Sequence, residues 1–245
     1  MLSLVIPVYN EENIIENTII SVVEFMNHNF GENCEAIFVN DGSRDNSVQI
    51  AEKIIKLNDI KNNIKIISYE KNRGKGYAVR TGIKSASGDI IFFTDCDLAY
   101  GLEIIREGYE IFNREENRQA GILIGSRRKH KEGYASYTLL RKVMSVTFFA
   151  VLRTVGGIRQ TTDSQSGIKG FRREAAKKIF DLCEDDGWSF DYEVLLLAQK
   201  LGLKIIEMPA RIINHGKSRI NPVRDGLKMF RAVSVIKKSV NNKFK

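Results

Sequence analysis

The first half of the chain alternates between short apolar runs and segments with helical periodicity. Four apolar runs are typical of buried strands and lie at residues 2–8, 35–39, 64–68 and 89–93. Apolar spacing between them predicts helices over 47–57 and 77–86. A further helix follows the first strand, and Asn10 is expected to cap it. Strands that alternate with helices predict an α/β fold, with a mostly parallel, Rossmann-like sheet flanked by helices.

Polar residues follow three of these predicted strands at the point where each strand ends. They are the segments Tyr9-Asn10-Glu11, Asp41-Gly42-Ser43 and Asp95-Cys96-Asp97. In open parallel sheets, ligands bind beyond the carboxyl ends of the strands. We therefore expect a polar ligand site at this edge of the sheet.

The second half of the chain is less regular. Its periodicity predicts two strands and five helices, the strands over 121–125 and 204–208 and the helices over 102–114, 137–155, 173–182, 190–201 and 227–240. The second and the last of these helices are basic and amphipathic. No repeat or linker-like stretch interrupts the chain, so we predict one domain over 1–225. A basic amphipathic C-terminal helix or tail is expected over 226–245.

The net charge of +8 is concentrated in two segments. Residues 125–153 sum to +6 and residues 211–245 sum to +9, so the rest of the chain is acidic. These two basic segments lack the interleaved aromatic and basic residues that are typical of nucleic-acid binding. We therefore expect no nucleic-acid partner.

Membrane-spanning and secretion signals are missing from the sequence pattern. A spanning helix takes about 18 or more apolar residues, and the strongest candidate, 143–152, is shorter and bracketed by basic residues. The first residues have neither a basic n-region nor a cleavage site, so we expect no signal peptide. Cys34, Cys96 and Cys183 are isolated, which favours a reducing, cytoplasmic compartment.

Asp95 and Asp97 are the strongest candidates for metal ligands. Carboxylates two residues apart on a strand face the same way. Mg²⁺ or Mn²⁺ on a substrate diphosphate needs only one or two protein carboxylates, because phosphates and water complete the coordination shell. An acidic surface turn is the alternative, but the apolar run directly before the pair places it at the edge of the core.

Asp41 and Lys75 are candidates for a nucleotide site. The Asp41 carboxylate would accept a base N–H, or else form an Asx turn. Lys75 lies between Gly74 and Gly76, so this loop offers a phosphate both a cation and close backbone approach. A flexible turn is the alternative for this loop, because it has neither Walker A nor dinucleotide-binding spacing.

Eight segments, taken in order, resemble the family 2 glycosyltransferases of the GT-A fold. They are LVIPVYNEE, FVNDGSRDNS, KNRGKGYAVRTG, FFTDCDLA, IGSRR, DSQSGIKGFRR, GWSFDYEVLLLA and GKSRINPVRDGLKM. Within that family the chain resembles the polyprenyl-phosphate sugar synthases, which are dolichyl-phosphate glucosyltransferases and mannosyltransferases. The resemblance implies the GT-A fold and an inverting hexosyl transfer from a nucleotide sugar to a polyprenyl phosphate, with Mg²⁺ or Mn²⁺ as cofactor.

The resemblance, together with the residue arguments above, assigns two groups of site residues. The donor-binding group consists of Pro7, Tyr9, Glu11, Asp41, Lys75, Asp95, Ser218 and Arg219. The catalytic group consists of Asp97, Arg127, Arg141, Asp163 and Asp191. By the resemblance, Asp95 and Asp97 ligate the metal, and the two arginines of the catalytic group lie near the acceptor phosphate.

The donor stays open between two nucleotide sugars. The resemblance favours UDP-glucose over GDP-mannose, because segments 75–80 and 187–193 look more like the glucosyltransferase branch. Ala99 stands where some mannosyltransferase relatives have a glutamine that ligates the metal, so water is expected to fill that position.

Two acceptor classes are compatible with these residues. The hydroxyl of a soluble or cell-surface glycan needs a carboxylate base, for which Asp191 and Glu193 are candidates. A phosphate monoester has a second pKa of about 6, so near pH 7 it needs cations rather than a base. Asp163 and Asp191 would then orient the site or its arginines. A nucleotidyltransferase, which would release diphosphate, is the remaining enzyme alternative.

A polyprenyl phosphate acceptor would place the protein at a membrane. The two basic segments would face anionic lipid, and the apolar face of the helix over 137–155 would lie in the interface. We therefore predict a peripheral protein on the cytosolic face of a membrane. A separate membrane-anchor subunit is compatible with this arrangement.

Overall fold

The computed structural model describes residues 1–57, 63–135, 139–214 and 222–245. Its strands are β1 (Leu2–Val8), β2 (Cys34–Asp41), β3 (Ile64–Tyr69), β4 (Ile90–Phe93), β5 (Ala120–Ser126), β6 (Lys169–Arg172) and β7 (Lys204–Pro209). Its α-helices are α1 (Ile15–Asn29), α2 (Ser47–Leu57), α3 (Lys75–Ser85), α4 (Glu103–Asn113), α5 (Leu139–Thr154), α6 (Arg173–Phe180), α7 (Phe190–Lys200) and α8 (Pro222–Lys243). The sequence predicted all of these elements except β6, and the predicted strand ends lie within about two residues of those observed.

The described strands form one seven-stranded sheet in the order β3-β2-β1-β4-β6-β5-β7. Neighbouring strands are parallel except at β6, which runs antiparallel to both β4 and β5. This confirms the predicted mostly parallel α/β sheet. The sequence pattern missed β6 because its four residues, KGFR, contain a glycine and two cations and show no alternation of apolar and polar residues.

Helices cover both faces of the sheet and bury two apolar clusters. Successive strand residues point to opposite faces, so that Leu4 of β1 joins one cluster and Val5 joins the other. The first cluster packs beneath α1, α2 and α4. The second packs beneath α3, α6 and α7 and includes buried residues of α5 and α8. The result is a three-layer domain whose strands are covered on both sides.

The predicted cap of the first helix is wrong. The helix α1 begins at Ile15, and Asn10 lies in a left-handed conformation with φ +54°. The Oδ1 atom of Asn10 accepts a hydrogen bond from the backbone N–H of Arg44 at 2.8 Å. Asn10 therefore joins the end of β1 to the loop after β2, and it is not available to cap a helix.

The two basic helices α5 and α8 each bury part of their apolar face in the protein, whereas Val146 and Val235 are exposed. Phe148 and Leu152 of α5 are buried in the second apolar cluster, as are Val233 and Val240 of α8. The expected boundary at 225/226 falls inside α8, and the division of the chain there stays a prediction. Among the described residues, no helix combines the length and the apolar character needed to cross a membrane.

At the opposite edge of the sheet, where the parallel strands begin, one buried carboxylate bonds to residues of β1, β3 and the loop before β4. Glu35 of β2 accepts hydrogen bonds from the Ser3 hydroxyl at 2.7 Å and from the backbone N–H of Ser87 at 2.6 Å. Lys65 of β3 donates to it at 2.6 Å. Burial alone would raise the pKa of Glu35, but these hydrogen bonds lower it to about 2.

We expect Glu35→Gln to lower the free energy of unfolding by about 2–3 kcal/mol at pH 7, because an amide loses the charged hydrogen bonds. The pKa of Glu35 is about 2 in the folded protein, and a glutamate in an unfolded chain has a pKa of about 4.3. The carboxylate therefore stabilises the fold above about pH 4, and this contribution is lost as the pH falls towards 2. Urea denaturation of both proteins should show their difference shrinking over that window.

The matched control is Glu52→Gln on α2, where the side chain is exposed. It should change the free energy of unfolding by less than about 0.5 kcal/mol at any pH. A difference between wild type and Glu35→Gln that stayed constant down to about pH 2 would contradict the assigned role of the charge.

Candidate active site

The polar strand ends meet at one edge of the sheet, as the sequence predicts. The strands β1, β2, β4 and β5 end there because they are parallel. Because β6 is reversed, it begins there, and its first residue Lys169 pairs with Phe93 at the end of β4. The loop over 163–168, which leads into β6, therefore lies at the same edge. This places Asp41, Asp95, Arg127 and Lys169 around one site.

Asp41 is buried and fixes a glycine-containing loop over residues 72–76, which we call the glycine loop. Its carboxylate accepts hydrogen bonds from the backbone N–H groups of Arg73 at 2.7 Å and Gly74 at 2.9 Å. The side-chain amide of Asn72 donates to it at 2.8 Å. The loop is thus held in place, and the flexible turn considered for it is not found. A contact between Asp41 and a nucleotide base stays a prediction.

The glycine loop is joined to the segment 184–189, which we call the acidic loop. The backbone N–H groups of Gly76 and Tyr77 donate to the carbonyls of Gly187 and Asp186, each at 3.2 Å. The Asp186 carboxylate forms ion pairs with Arg73 and Arg80. At Gly74 φ is +107°, and an added Cβ would lie 2.3 Å from the Asp186 carbonyl oxygen. Only glycine fits at this position.

Lys75 and Asp95 form an ion pair at the centre of the edge. The Lys75 Nζ lies 2.5 Å from the Asp95 Oδ1 atom. Burial would lower the pKa of Lys75, but the Asp95 and Asp191 carboxylates raise it above its usual value. Lys75 is therefore a charged group at the start of α3, where the helix dipole also favours a bound anion.

The two expected metal ligands lie beyond the strand, and this corrects the expected geometry. The strand β4 ends at Phe93, and the left-handed Leu98 (φ +47°) bends the chain after the pair. Asp95 faces Lys75, whereas Asp97 is exposed to solvent and accepts a hydrogen bond from the Ala99 N–H at 3.1 Å. The two carboxylates are therefore not presented as neighbours on one face of an extended strand.

The donor set nevertheless fits a hard divalent cation. Although Asp97 as a residue is exposed, partial desolvation of its carboxylate and the charge of Asp95 raise its pKa. A cation held by both carboxylates would relieve their repulsion. Mg²⁺ and Mn²⁺ prefer such oxygen ligands. Within the part of the chain that the structure describes, no group of three or more His, Cys, Asp or Glu side chains could hold a metal. A cation on these two residues would need substrate and water oxygens.

Arg127 and Asp163 form a buried two-pronged ion pair. The Arg127 Nε and Nη2 atoms each donate to the Asp163 carboxylate at 2.7 Å, and the Arg127 backbone N–H donates at 3.0 Å. Burial would raise the pKa of Asp163, but these bonds and the charge of Arg127 lower it. Asp163 thus orients Arg127, while the neighbouring Arg128 and Lys129 are exposed.

Lys169 is a site residue that the sequence reasoning missed. Its side chain is 0% exposed, and its Nζ atom donates to Asp191 Oδ1 at 2.6 Å and to the Ser166 carbonyl at 2.7 Å. Burial lowers the pKa of Lys169, in opposition to the charge of Asp191. The available signal was a lone cation inside the segment Gly-Ile-Lys-Gly-Phe, which would otherwise be an apolar strand.

The other predicted site residues divide into two groups. One group lies at the end of β1: Pro7 belongs to the strand, and Tyr9 and Glu11 follow it. The Glu11 N–H donates to the Ser47 hydroxyl at 2.8 Å, which places this segment beside the loop between β2 and α2. Arg141 belongs to α5, but its side chain lies outside the described residues, as do Ser218 and Arg219 entirely. The donor and acceptor contacts of these residues stay predictions.

Comparison with known proteins gives concordant results. The family model described as glycosyl transferase family 2 matches residues 3–180. A dolichyl-phosphate beta-glucosyltransferase of Dictyostelium discoideum is 30% identical over 236 residues, which is 93% of this chain and 71% of that protein. The protein of the same name from Saccharomyces cerevisiae is 31% identical, over 96% of this chain and 74% of its own length.

Solved structures show the same architecture. The glucosyl-3-phosphoglycerate synthase of Mycobacterium tuberculosis, in complex with Mn²⁺, UDP-Glc and phosphoglyceric acid, superposes with a TM-score of 0.64. The match covers 98% of this chain and 79% of that chain at 18% identity. At this identity the likeness establishes the fold alone.

We expect Gly74→Ala to lower the free energy of unfolding by about 2–4 kcal/mol, because the added Cβ meets a backbone carbonyl and φ is unfavourable. Gly202→Ala is the matched control, since Gly202 also has positive φ (+67°) but nothing lies within 4 Å of its Cβ position. That variant should cost only about 1–2 kcal/mol of left-handed strain. Urea denaturation measures both, and equal losses would show that the contact with Asp186 is unimportant.

Proposed function

The chain belongs to glycosyl transferase family 2 and is a glycosyltransferase of the GT-A fold, and from this premise we propose that it transfers glucose from UDP-glucose to a polyprenyl phosphate of the dolichyl type. The observation that carries the proposal is the likeness, over nearly the whole chain, to proteins named dolichyl-phosphate beta-glucosyltransferases. The site geometry is compatible with each part of this reaction.

The donor would lie along the edge formed by β1, β2 and the glycine loop. Tyr9 and Glu11 would border the nucleoside, and Asp41 would reach the base or hold the loop beside it. The diphosphate would lie at Lys75, whose pKa is above its usual value, so that its ammonium group stays charged. Lys75 also lies at the N-terminus of α3, where the helix dipole favours an anion. Lys75 would then exchange one anionic partner, Asp95, for another, the phosphate.

A divalent metal, Mg²⁺ or Mn²⁺, would be held by Asp95 and Asp97. When bound, the cation supplies positive charge against the diphosphate that leaves. The proposal is supported by the two-carboxylate donor set and by a structure of the same fold that is a complex with Mn²⁺ and UDP-Glc.

The acceptor phosphate would act as the nucleophile without a protein base. One of its oxygens forms a bond to C1 of glucose while the bond from C1 to the diphosphate oxygen breaks, and UDP leaves with the electron pair. An α-linked donor would give a β-linked product by this single inversion. Asp163 and Asp191 hold Arg127 and Lys169 in ion pairs, and this contact supports positioning rather than proton removal.

The protein would bind peripherally to the cytosolic face of an anionic membrane. Exposed cations lie on or near α5 and α8, namely Arg128, Lys129, Arg153 and Lys238. Phe148, Phe149 and Leu152 of α5 are buried in the protein and Val146 is exposed, so the described part of this helix offers little apolar surface and its contact with lipid stays a prediction. The proposed attraction is therefore mainly electrostatic.

The proposed reaction is tested with a panel of donors against a short-chain polyprenyl phosphate and Mg²⁺. We expect UDP release with UDP-glucose and a polyprenyl glucosyl phosphate as product. The rate of transfer from GDP-mannose should be less than about one tenth of the rate from UDP-glucose. Product formation from GDP-mannose alone would overturn the donor. Transfer to a glycan hydroxyl, with none to the lipid phosphate, would overturn the acceptor.

The same assay includes Asp97→Asn and an excess of EDTA. Each should reduce turnover by about 100-fold or more, because the leaving diphosphate loses charge compensation. The matched control is Glu107→Gln, which changes an exposed carboxylate on α4 and should leave turnover unchanged. Near-normal turnover in EDTA would contradict metal dependence.

Membrane attraction is tested by flotation with vesicles that contain anionic or only zwitterionic lipid. We expect binding to anionic vesicles alone, and about 30-fold weaker binding after Arg153→Gln and Lys238→Gln together, since each surface cation contributes about 1 kcal/mol. The matched control removes the same charge from α6 by Lys177→Gln and Lys178→Gln, both exposed. Equal losses in the two double variants would contradict a specific membrane-facing surface.

A further inference from the structure

Trp188, the single tryptophan of the chain, lies in the acidic loop and is 53% exposed. The centre of its ring is 5.3 Å from the Lys75 Nζ atom, which in turn lies 2.5 Å from Asp95. A large aromatic side chain that remains half exposed beside a charged site keeps binding surface available to a ligand.

Backbone contacts on both sides fix the position of Trp188. Before it, the Gly187 carbonyl accepts a hydrogen bond from Gly76 at 3.2 Å, and the Gly187 N–H donates to Asp185 at 2.8 Å. After it, the buried Ser189 carbonyl accepts from Tyr192 in the first turn of α7 at 3.0 Å. The loop therefore presents the ring from a held position next to the Lys75–Asp95 pair.

We propose that Trp188 stacks against the hexose of the donor and so recognises the sugar rather than the nucleotide. The proposal rests on the proposed function, which places the diphosphate at Lys75. The hexose is bonded directly to that diphosphate, so its ring falls within reach of a side chain 5.3 Å from Lys75. The C–H groups of a pyranose carry partial positive charge, which the negative face of an aromatic ring attracts.

The polar surroundings favour a sugar over the apolar chain of the acceptor. Asp185 and Asp186 precede the tryptophan, and Arg73 and Lys75 lie on the facing glycine loop. An isoprenoid chain on this surface would remove water from these charged groups and offer them no hydrogen bonds, which is unfavourable. A hexose offers hydroxyl groups to the charges and C–H groups to the ring.

The test measures binding of UDP-glucose and of UDP to the full chain with Mg²⁺ by calorimetry. We expect Trp188→Ala to weaken binding of UDP-glucose by about tenfold and binding of UDP by less than about twofold, because only the sugar loses its aromatic partner. Trp188→Phe, which keeps an aromatic ring, should restore most of the affinity. In the wild type, UDP-glucose should change the tryptophan emission more than UDP does.

The control for loss of an exposed apolar side chain is Leu57→Ala at the end of α2, which should bind both ligands as the wild type does. Thermal unfolding of each variant shows whether the fold is retained. Equal weakening of UDP and UDP-glucose, or no weakening of either, would overturn the inference. A raised KM for polyprenyl phosphate with unchanged donor affinity would assign the ring to the acceptor and overturn it too.

Failure of the proposed function gives a different result. If the wild type bound neither UDP-glucose nor UDP, the donor assignment itself would fall, and the inference with it. If UDP-glucose bound with dependence on Trp188 but no lipid phosphate were glucosylated, the inference would stand and the proposed acceptor would be wrong.

Discussion

A charged side chain can be buried at the carboxyl edge of this sheet only beside a partner of opposite charge, because an unpaired buried charge is strongly destabilising. Among the residues that the structure describes, the pairs Lys75–Asp95, Arg127–Asp163 and Lys169–Asp191 lie around the site. Each joins segments that are distant in the chain. The pairing requirement therefore fixes the relative positions of the loops from which the site is built.

The pairs differ in how far ligands can use them. Lys169 is fully buried and Arg127 nearly so, and both are held by carboxylates, which suits groups that support the site from beneath. Lys75 and Asp95 are more accessible, and Asp97 beside them is exposed. In the proposed reaction, an incoming diphosphate and cation would therefore exchange charge at the Lys75–Asp95 pair. The other two pairs would stay intact while the ligands bind and leave.

Local sequence patterns predicted much of the fold and the place of the site. Apolar runs followed by polar residues located the ends of β1, β2 and β4. A strand that is buried on both faces is a continuous apolar run, and polar residues begin where the chain leaves the core. The strands β5 and β7 followed from the same reasoning. The short strand β6 did not, because a buried lysine and a glycine remove the apolar alternation on which the prediction depends.

Contacts between distant residues account for the rest of what the sequence did not reveal. Asp41 holds the N–H of Gly74, which is 33 residues away, and Asp163 holds Arg127, which is 36 residues away. No local period encodes such pairs. Asparagine is a residue type that often caps helices. The Asn10 side chain instead accepts a hydrogen bond from the backbone N–H of Arg44, because the end of β1 and the loop after β2 meet in the folded sheet.

The reversed strand β6 also has a consequence for biosynthesis. It lies between β4 and β5, and so it joins the four strands on one side of the sheet to the two on the other. Until Lys169–Arg172 have left the ribosome, β4 and β5 of a growing chain each lack this neighbour. Their open backbone edges are then available to other nascent chains, which is a known route to aggregation. Between the synthesis of β5 and that of β6, a growing chain therefore exposes a backbone edge on each of these two strands.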